Sequence, residues 1–154
     1  ANRLKMLGDD LKVLAAGYDQ VLIDLGAGVE QTVQNLTRSA GQVIVVVTDE
    51  PTSLTDAYAF IKVTQTEIPG MGFQVVANIV NSMREGKRTY NTLLKACEAF
   101  LKISPPLLGI IRRDAKVPEA IRSQTSILTR SPNSEAACDV EKIAKKMLIP
   151  SIRS

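Results

Sequence analysis

The chain has 154 residues, 45% of them hydrophobic and 23% charged, with a formal net charge of +3. That length carries one domain with a core of its own. The mild positive charge forms no Lys/Arg stripe, and aromatics at 4% are too few for base stacking, so direct nucleic-acid binding is not expected. There is no histidine, which excludes His-based acid–base catalysis, and Cys97 and Cys138 are too far apart in sequence for a zinc motif. Both cysteines read as small apolar residues of a reducing cytosol.

In chain order, Leu4, Leu7, Leu11 and Leu14 give a helical stripe that ends near Gly17. Val21 to Asp24 reads as a short strand, followed by Gly26-Ala27-Gly28 and a helix carrying Val29, Val33 and Leu36. Val43 to Val47 is a nearly continuous apolar run, expected as a central strand covered on both faces. Pro51 opens a helix whose buried face is Leu54, Ala57, Ile61 and Ile68. Phe73 to Val80 is the next strand. A long helix then presents Tyr90, Leu93, Leu94, Cys97 and Leu101.

Leu107 to Ile111 is a further strand, and Val117 to Ile121 begins a short helix. Ser126 to Thr129 is expected as a last short strand. Val140, Ile143, Ala144 and Met147 define a final amphipathic helix. Strands alternating with helices predict a single α/β domain over residues 1–154, a mostly parallel sheet flanked by helices.

Ligands of open α/β sheets bind beyond the carboxyl ends of the strands. Asp24 ends an apolar strand and precedes glycines; a carboxylate there suits a magnesium-bound water, or simply caps the next helix. Asn78 lies inside an apolar strand, where its amide must find partners, in the backbone or on a purine edge. Arg112-Arg113-Asp114 follows the last strand. Gly86-Lys87-Arg88-Thr89 superficially echoes a phosphate-binding loop. That motif needs a glycine where Asn81 stands and Ser or Thr where Arg88 stands. Lys142, Lys145 and Lys146 on the final helix are compatible with a membrane-surface helix, but the apolar face is short, and packing on the sheet is the expected role.

Tyr18 to Gly28 resembles the Walker B and switch II segment of MinD/ParA-like P-loop ATPases. Thr48-Asp49-Glu50-Pro51-Thr52-Ser53-Leu54-Thr55-Asp56-Ala57-Tyr58-Ala59 resembles the corresponding segment of the FlhG/FleN group of flagellar-number regulators. Asn78, Asn81-Ser82, Glu85-Gly86, Asp114, Val117 and Ala120 to Gln124 are similar to the following loops of that group. The resemblance runs from about Leu11 to Met147. It implies a partial P-loop NTPase fold without the N-terminal phosphate-binding unit, so that this chain alone does not hydrolyse ATP.

By the same resemblance Asp24 acts on magnesium through water, Gly28 senses the terminal phosphate, and Asn78 contacts adenine with Arg113 and Asp114 beside the base. It also implies ATP or ADP with magnesium as cofactors, an ATP-dependent homodimer, and a cytoplasmic location with peripheral attachment to the inner face of the cell membrane. The implied partners are an FlhF-like GTPase, flagellar switch proteins or a flagellar transcription activator. Arg112 departs from the proline common in the group.

Two other readings compete. A response-regulator receiver would use Asp24 as phosphoacceptor, but Asp9-Asp10 fall in a helical pattern and no strand-end lysine follows. A non-catalytic ATPase-like scaffold fits the missing phosphate-binding loop.

Overall fold

The computed structural model describes residues 11, 13–26 and 31–148. Its regular elements are α1 (Gln31–Thr37), β1 (Gln42–Val47), α2 (Pro51–Glu67), β2 (Gly72–Val80), α3 (Met83–Ala96), β3 (Leu107–Arg112), α4 (Lys116–Arg122), α5 (Ile127–Arg130) and α6 (Glu135–Leu148). A π-helical turn, Cys97–Leu101, continues α3. The three strands form one parallel sheet in the order β1-β2-β3. The parallel α/β reading of the sequence therefore holds.

The helices start where local chemistry supports them. Pro51 opens α2, where its missing N–H costs nothing. Ser82 caps α3 by accepting from the Glu85 N–H. Two glycines allow close helix–sheet approach. A Cβ on Gly86 would fall 2.4 Å from Ile110 Cγ2, and one on Gly109 would fall 2.3 Å from Ile143 Cγ1. Gly86 is thus a buried packing residue in the first turn of α3, which explains Gly-Lys without any phosphate loop. Gly109 and Ile110 are neighbours in a strand, so they point to opposite faces. It follows that α3 and α6 lie on opposite faces of the sheet, giving three layers.

The main core joins Val45, Val47, Phe73 and Val75 of the sheet to Ala57, Ile61, Leu93 and Cys97 of α2, α3 and the π-helical turn. A smaller cluster comprises Ala77, Val80 and Ile110. On the other face Ala136 and Ala137 of α6 are buried, and Lys146 Nζ donates to the Leu108 carbonyl at 2.8 Å. The final helix therefore packs on β3, although Ala144, expected on its buried face, is exposed.

Three expectations need correction. Val21–Asp24 is not a strand: residues 19–26 have no regular structure, and Val21, Leu22 and Ile23 are exposed. A strand exists only through ladder bonds to a neighbour about 4.8 Å away, and this segment makes none with β1. A trough of about 1250 Å³ lies between them, lined by residues 18–26 on one wall and residues 42–46 on the other.

Consequently β1 is not central but at the edge of the described sheet, with Val46 57% exposed on the face away from α2. Finally, Ser126–Thr129 is not a strand. Ile127–Arg130 is a helical turn capped by Ser126 Oγ, which accepts from the Leu128 N–H. The stripe expected over Leu4–Leu14 lies mostly outside the described residues, as do Gly28 and Val29.

Candidate functional site

The carboxyl ends of the three strands bring most of the chemistry-bearing residues to one edge. After β1, the Thr48 N–H donates to Ser53 Oγ at 3.0 Å, closing the turn that leads into α2. After β2, the Asn81 N–H donates to Glu85 Oε2 at 2.8 Å and the Glu85 N–H to Ser82 Oγ at 3.1 Å, two bonds that fix the entry into α3. The bond from the Asn81 backbone holds the Glu85 carboxyl below its usual range. After β3, the Arg113 N–H donates to the Val80 carbonyl at 2.8 Å, which places the Arg113 backbone beside the end of β2.

Asn78 is half-buried near the end of β2. Its Oδ1 accepts from the Ile79 N–H at 2.9 Å. Ile79 has a left-handed backbone, φ 57°, and the ladder slips there: Ala77 pairs with Ile110, but Val80 pairs with Arg112. Two residues of β2 therefore face one of β3, a β-bulge that turns Asn78 and Ile79 out of regular alternation. The exposed Arg113 side chain and the Asn78 amide thus flank neighbouring strand ends.

Asp114 sits in the same loop, and both its oxygens serve the backbone. Oδ1 accepts from the Lys116 N–H at 2.8 Å and Oδ2 from the Ala136 N–H at 3.1 Å. These two bonds lower its pKa. Asp114 ties the starts of α4 and α6 together, a role the sequence did not disclose.

Arg112, which breaks the sequence pattern of the FlhG/FleN group, has a structural account. Its Nε and Nη2 donate to Asp139 Oδ2 and Oδ1 at 2.8 and 3.0 Å, its backbone N–H to Oδ2 at 3.3 Å, and its Nη1 to Glu135. The Asp139 side chain is only 1% exposed. Burial pushes its carboxyl up, but the Arg112 bonds pull it further down, and the net pKa is lowered. This fork clamps α6 to the end of β3.

Asp24 lies apart from this edge, exposed on the trough wall across from β1. The structure thus groups Asn78, Arg113 and Asp114 and leaves Asp24 on the far side of β1. Gly28 is outside the described residues. No group of three or more potential metal-ligating side chains occurs among the described residues. A lone carboxylate such as Asp24 suits an ion that keeps its waters and takes its remaining ligands from a phosphate.

Three parallel strands between helical layers, with polar side chains at the carboxyl ends, are an arrangement that this chain shares with the MinD/ParA ATPases. The fold matches a chain of the MinC:MinD cell division protein complex of Aquifex aeolicus with a TM-score of 0.75 at 18% identity, over 98% of this chain and 61% of that one. A MinD from Pyrococcus horikoshii solved with Mg-ADP gives 0.74 at 20% identity, over 95% and 57%.

The chain belongs to the family described as cellulose biosynthesis protein BcsQ, which matches residues 1–148. Among curated relatives it is 34% identical over 134 residues to the antiactivator FleN of Pseudomonas aeruginosa, covering 87% of this chain and 48% of FleN. It is 28% identical over 145 residues to the flagellum site-determining protein YlxH of Helicobacter pylori, covering 94% and 48%. The chain spans about half the length of these two relatives.

Proposed function

We propose that this chain forms the base-side and magnesium-side walls of the nucleotide site of a MinD/ParA-like ATPase, in a FlhG/FleN-type regulator of flagellar number and placement. The observation that carries this reading is the similarity to FleN and YlxH across nearly the whole chain, joined to a strand-end edge that carries Asn78 and Arg113. Asn78 and Arg113 contact the base. Asp114 holds their loop rather than touching the ligand. Asp24 orients a magnesium-bound water, and Gly28 lies beside the terminal phosphate.

The bound group is ATP or ADP with magnesium, which supplies the phosphoryl group and the charge that neutralises it. The chain's own residues orient the base and one water. Phosphoryl transfer also needs backbone amides and a lysine around the β- and γ-phosphates, and this sequence contains no such loop. This chain therefore does not turn over ATP by itself. Asp24 stands on the wall of the trough beside β1.

The complete ATPase forms an ATP-dependent homodimer. Its partners are an FlhF-like GTPase, flagellar switch proteins or a flagellar transcription activator. Its location is cytoplasmic, with peripheral attachment to the inner face of the cell membrane. Among the described residues no helix is long and apolar enough to cross a membrane. Because α6 already packs on β3, its apolar face is not also available to lipid.

In a longer chain that carries the phosphate-binding loop, Asp24→Ala is expected to lower magnesium-dependent ATPase activity by about a hundred-fold, in line with loss of a group acting on the reacting centre. Its melting temperature should stay unchanged, because Asp24 is exposed. Unchanged turnover with a lowered melting temperature would assign Asp24 a purely structural role.

A further inference from the structure

The outer face of α3 is basic from end to end. Leu93 is buried on its inner side, as is Cys97 at the start of the π-helical turn. Arg84, Lys87, Arg88 and Lys95 are all exposed, and the exposed side chains between them, Asn91 and Thr92, carry no charge. Positions 84, 88 and 95 are four and seven residues apart, which puts them on one side of a helix with Lys87 beside them. The stripe is about 16 Å long at 1.5 Å per residue, and it corrects the expectation that Lys and Arg form none. None of the four is in an ion pair among the described residues. The nearest acids in sequence, Glu85 and Glu98, bond the Asn81 N–H and the Ser104 hydroxyl instead. A cation in the first turn and a like-charge pair four residues apart both disfavour a helix. The stripe therefore does not serve the stability of α3.

Beyond Lys95 the same helix ends on an exposed aromatic. In an unbroken α-helix Phe100 would follow Leu93 and Cys97 at seven and three residues, on the buried side. The π-helical turn Cys97–Leu101 changes that phase. Its i→i+5 bonds widen the turn, so each residue advances less around the axis. Leu101 takes the inner place against the main core, and Phe100 is left 76% exposed. A single exposed apolar residue is ordinary. Here, however, an uncommon turn of the kind that recurs at functional sites brings the ring out, at the end of a charged face.

From this surface we infer that the outer face of α3 and its π-helical turn dock an acidic, amphipathic segment of a protein partner. Carboxylates of the segment meet Arg84, Arg88 and Lys95, and its apolar side chains close over Phe100. Charge complementarity selects and orients the segment, and the aromatic is the buried anchor that exposed charge pairs do not supply. A nucleic-acid duplex would engage the basic residues alone, in a few contacts that salt readily dissolves. A bilayer surface needs a wide apolar face, and this one offers a single ring. The inference stands independently of the nucleotide-site reading.

The test is a selection of short random peptides displayed on phage against this chain, followed by amide NMR titration with the peptides recovered. They should be rich in Asp and Glu with Leu, Ile or an aromatic between, and should shift the amides of residues 84–100. The double variant Arg84→Gln, Arg88→Gln and the single variant Phe100→Ala should each bind them about ten-fold more weakly. All three side chains are exposed, so both proteins should melt within a few degrees of the parent. Lys62→Gln removes an exposed charge on α2 and should bind like the parent. Failure to recover acidic peptides, or peptides that bind the variants as tightly as the parent, overturns the inference. A DNA duplex or vesicles of phosphatidylglycerol that bind this face more tightly than every selected peptide also overturn it, and assign the face to nucleic acid or to a lipid surface.

Discussion

Val45→Asp should abolish cooperative folding. Val45 is 7% exposed, pairs with Val75 in the parallel ladder, and belongs to the cluster that includes Ala57 and Ile61 of α2. A carboxylate placed there has no cationic partner in that cluster, and burying an unpaired charge costs several kcal/mol, about 4 or more. A domain of this size has roughly 5–15 kcal/mol of stability in all. The expected outcome is an insoluble or molten chain with no thermal transition by circular dichroism.

The neighbouring Val46→Asp is the control. Val46 points to the opposite, uncovered face at 57% exposure, so that variant should melt within a few degrees of the parent, on the order of a 1 kcal/mol change at most. Equal tolerance of both substitutions would show that the register of β1 is wrong.

Asp139→Ala should be the second most damaging change. It removes the acceptor for two guanidinium N–H groups and one backbone N–H of Arg112 while leaving that side chain between β3 and α6. Breaking an enclosed ion pair from one side costs about 3 kcal/mol. The pair also predicts a pH dependence. The folded-state pKa of Asp139 is lowered, so its contribution is complete above the unfolded carboxylate value of about 4. It is lost as pH falls through the lower folded value. The stability difference between the parent and Asp139→Asn should therefore be largest near neutral pH and shrink in acid below about pH 4. Urea unfolding at a series of pH values measures it. A difference that does not change with pH would mean that the Asp139 carboxylate is not held by Arg112.

Much of this architecture was legible because local pattern and tertiary role coincide. The β-branched runs at 43–47, 73–80 and 107–111, the start of a helix at Pro51 and the stripe at Val140, Ile143 and Met147 all became the elements their spacing predicts. The misreadings have a common physical source. Val21–Asp24 has the composition of a strand, but a strand is completed by a neighbour that composition does not name. The run 43–47 looks buried on both faces, yet which strand lies next to it is a property of the whole sheet. Ser126–Thr129 is too short for periodicity to separate helix from strand, and a serine cap decided it.

The candidate site was legible in part. Asn78 and Arg113 fall where strand-end reasoning put them. Asp114 was seen as a site residue, whereas its two oxygens hold Lys116 and Ala136. Arg112 seemed only a departure from a sequence pattern; its partner Asp139, 27 positions on, has no local signal. A buried aspartate in an otherwise amphipathic helix is the one clue that invites a search for such a partner. The bulge at Ile79 was invisible, since isoleucine is a poor choice for positive φ.

We propose that this chain carries the base and magnesium walls of a MinD/ParA-type site and lacks the loop that would hold the phosphates. The most direct measurement is phosphate release from magnesium–ATP by this purified chain, run beside the same chain carrying Asp24→Ala. The account predicts no turnover above the buffer blank for either protein. Turnover by the parent chain that disappears in Asp24→Ala would contradict it, because it would show a complete catalytic site in a sequence without a phosphate-binding loop.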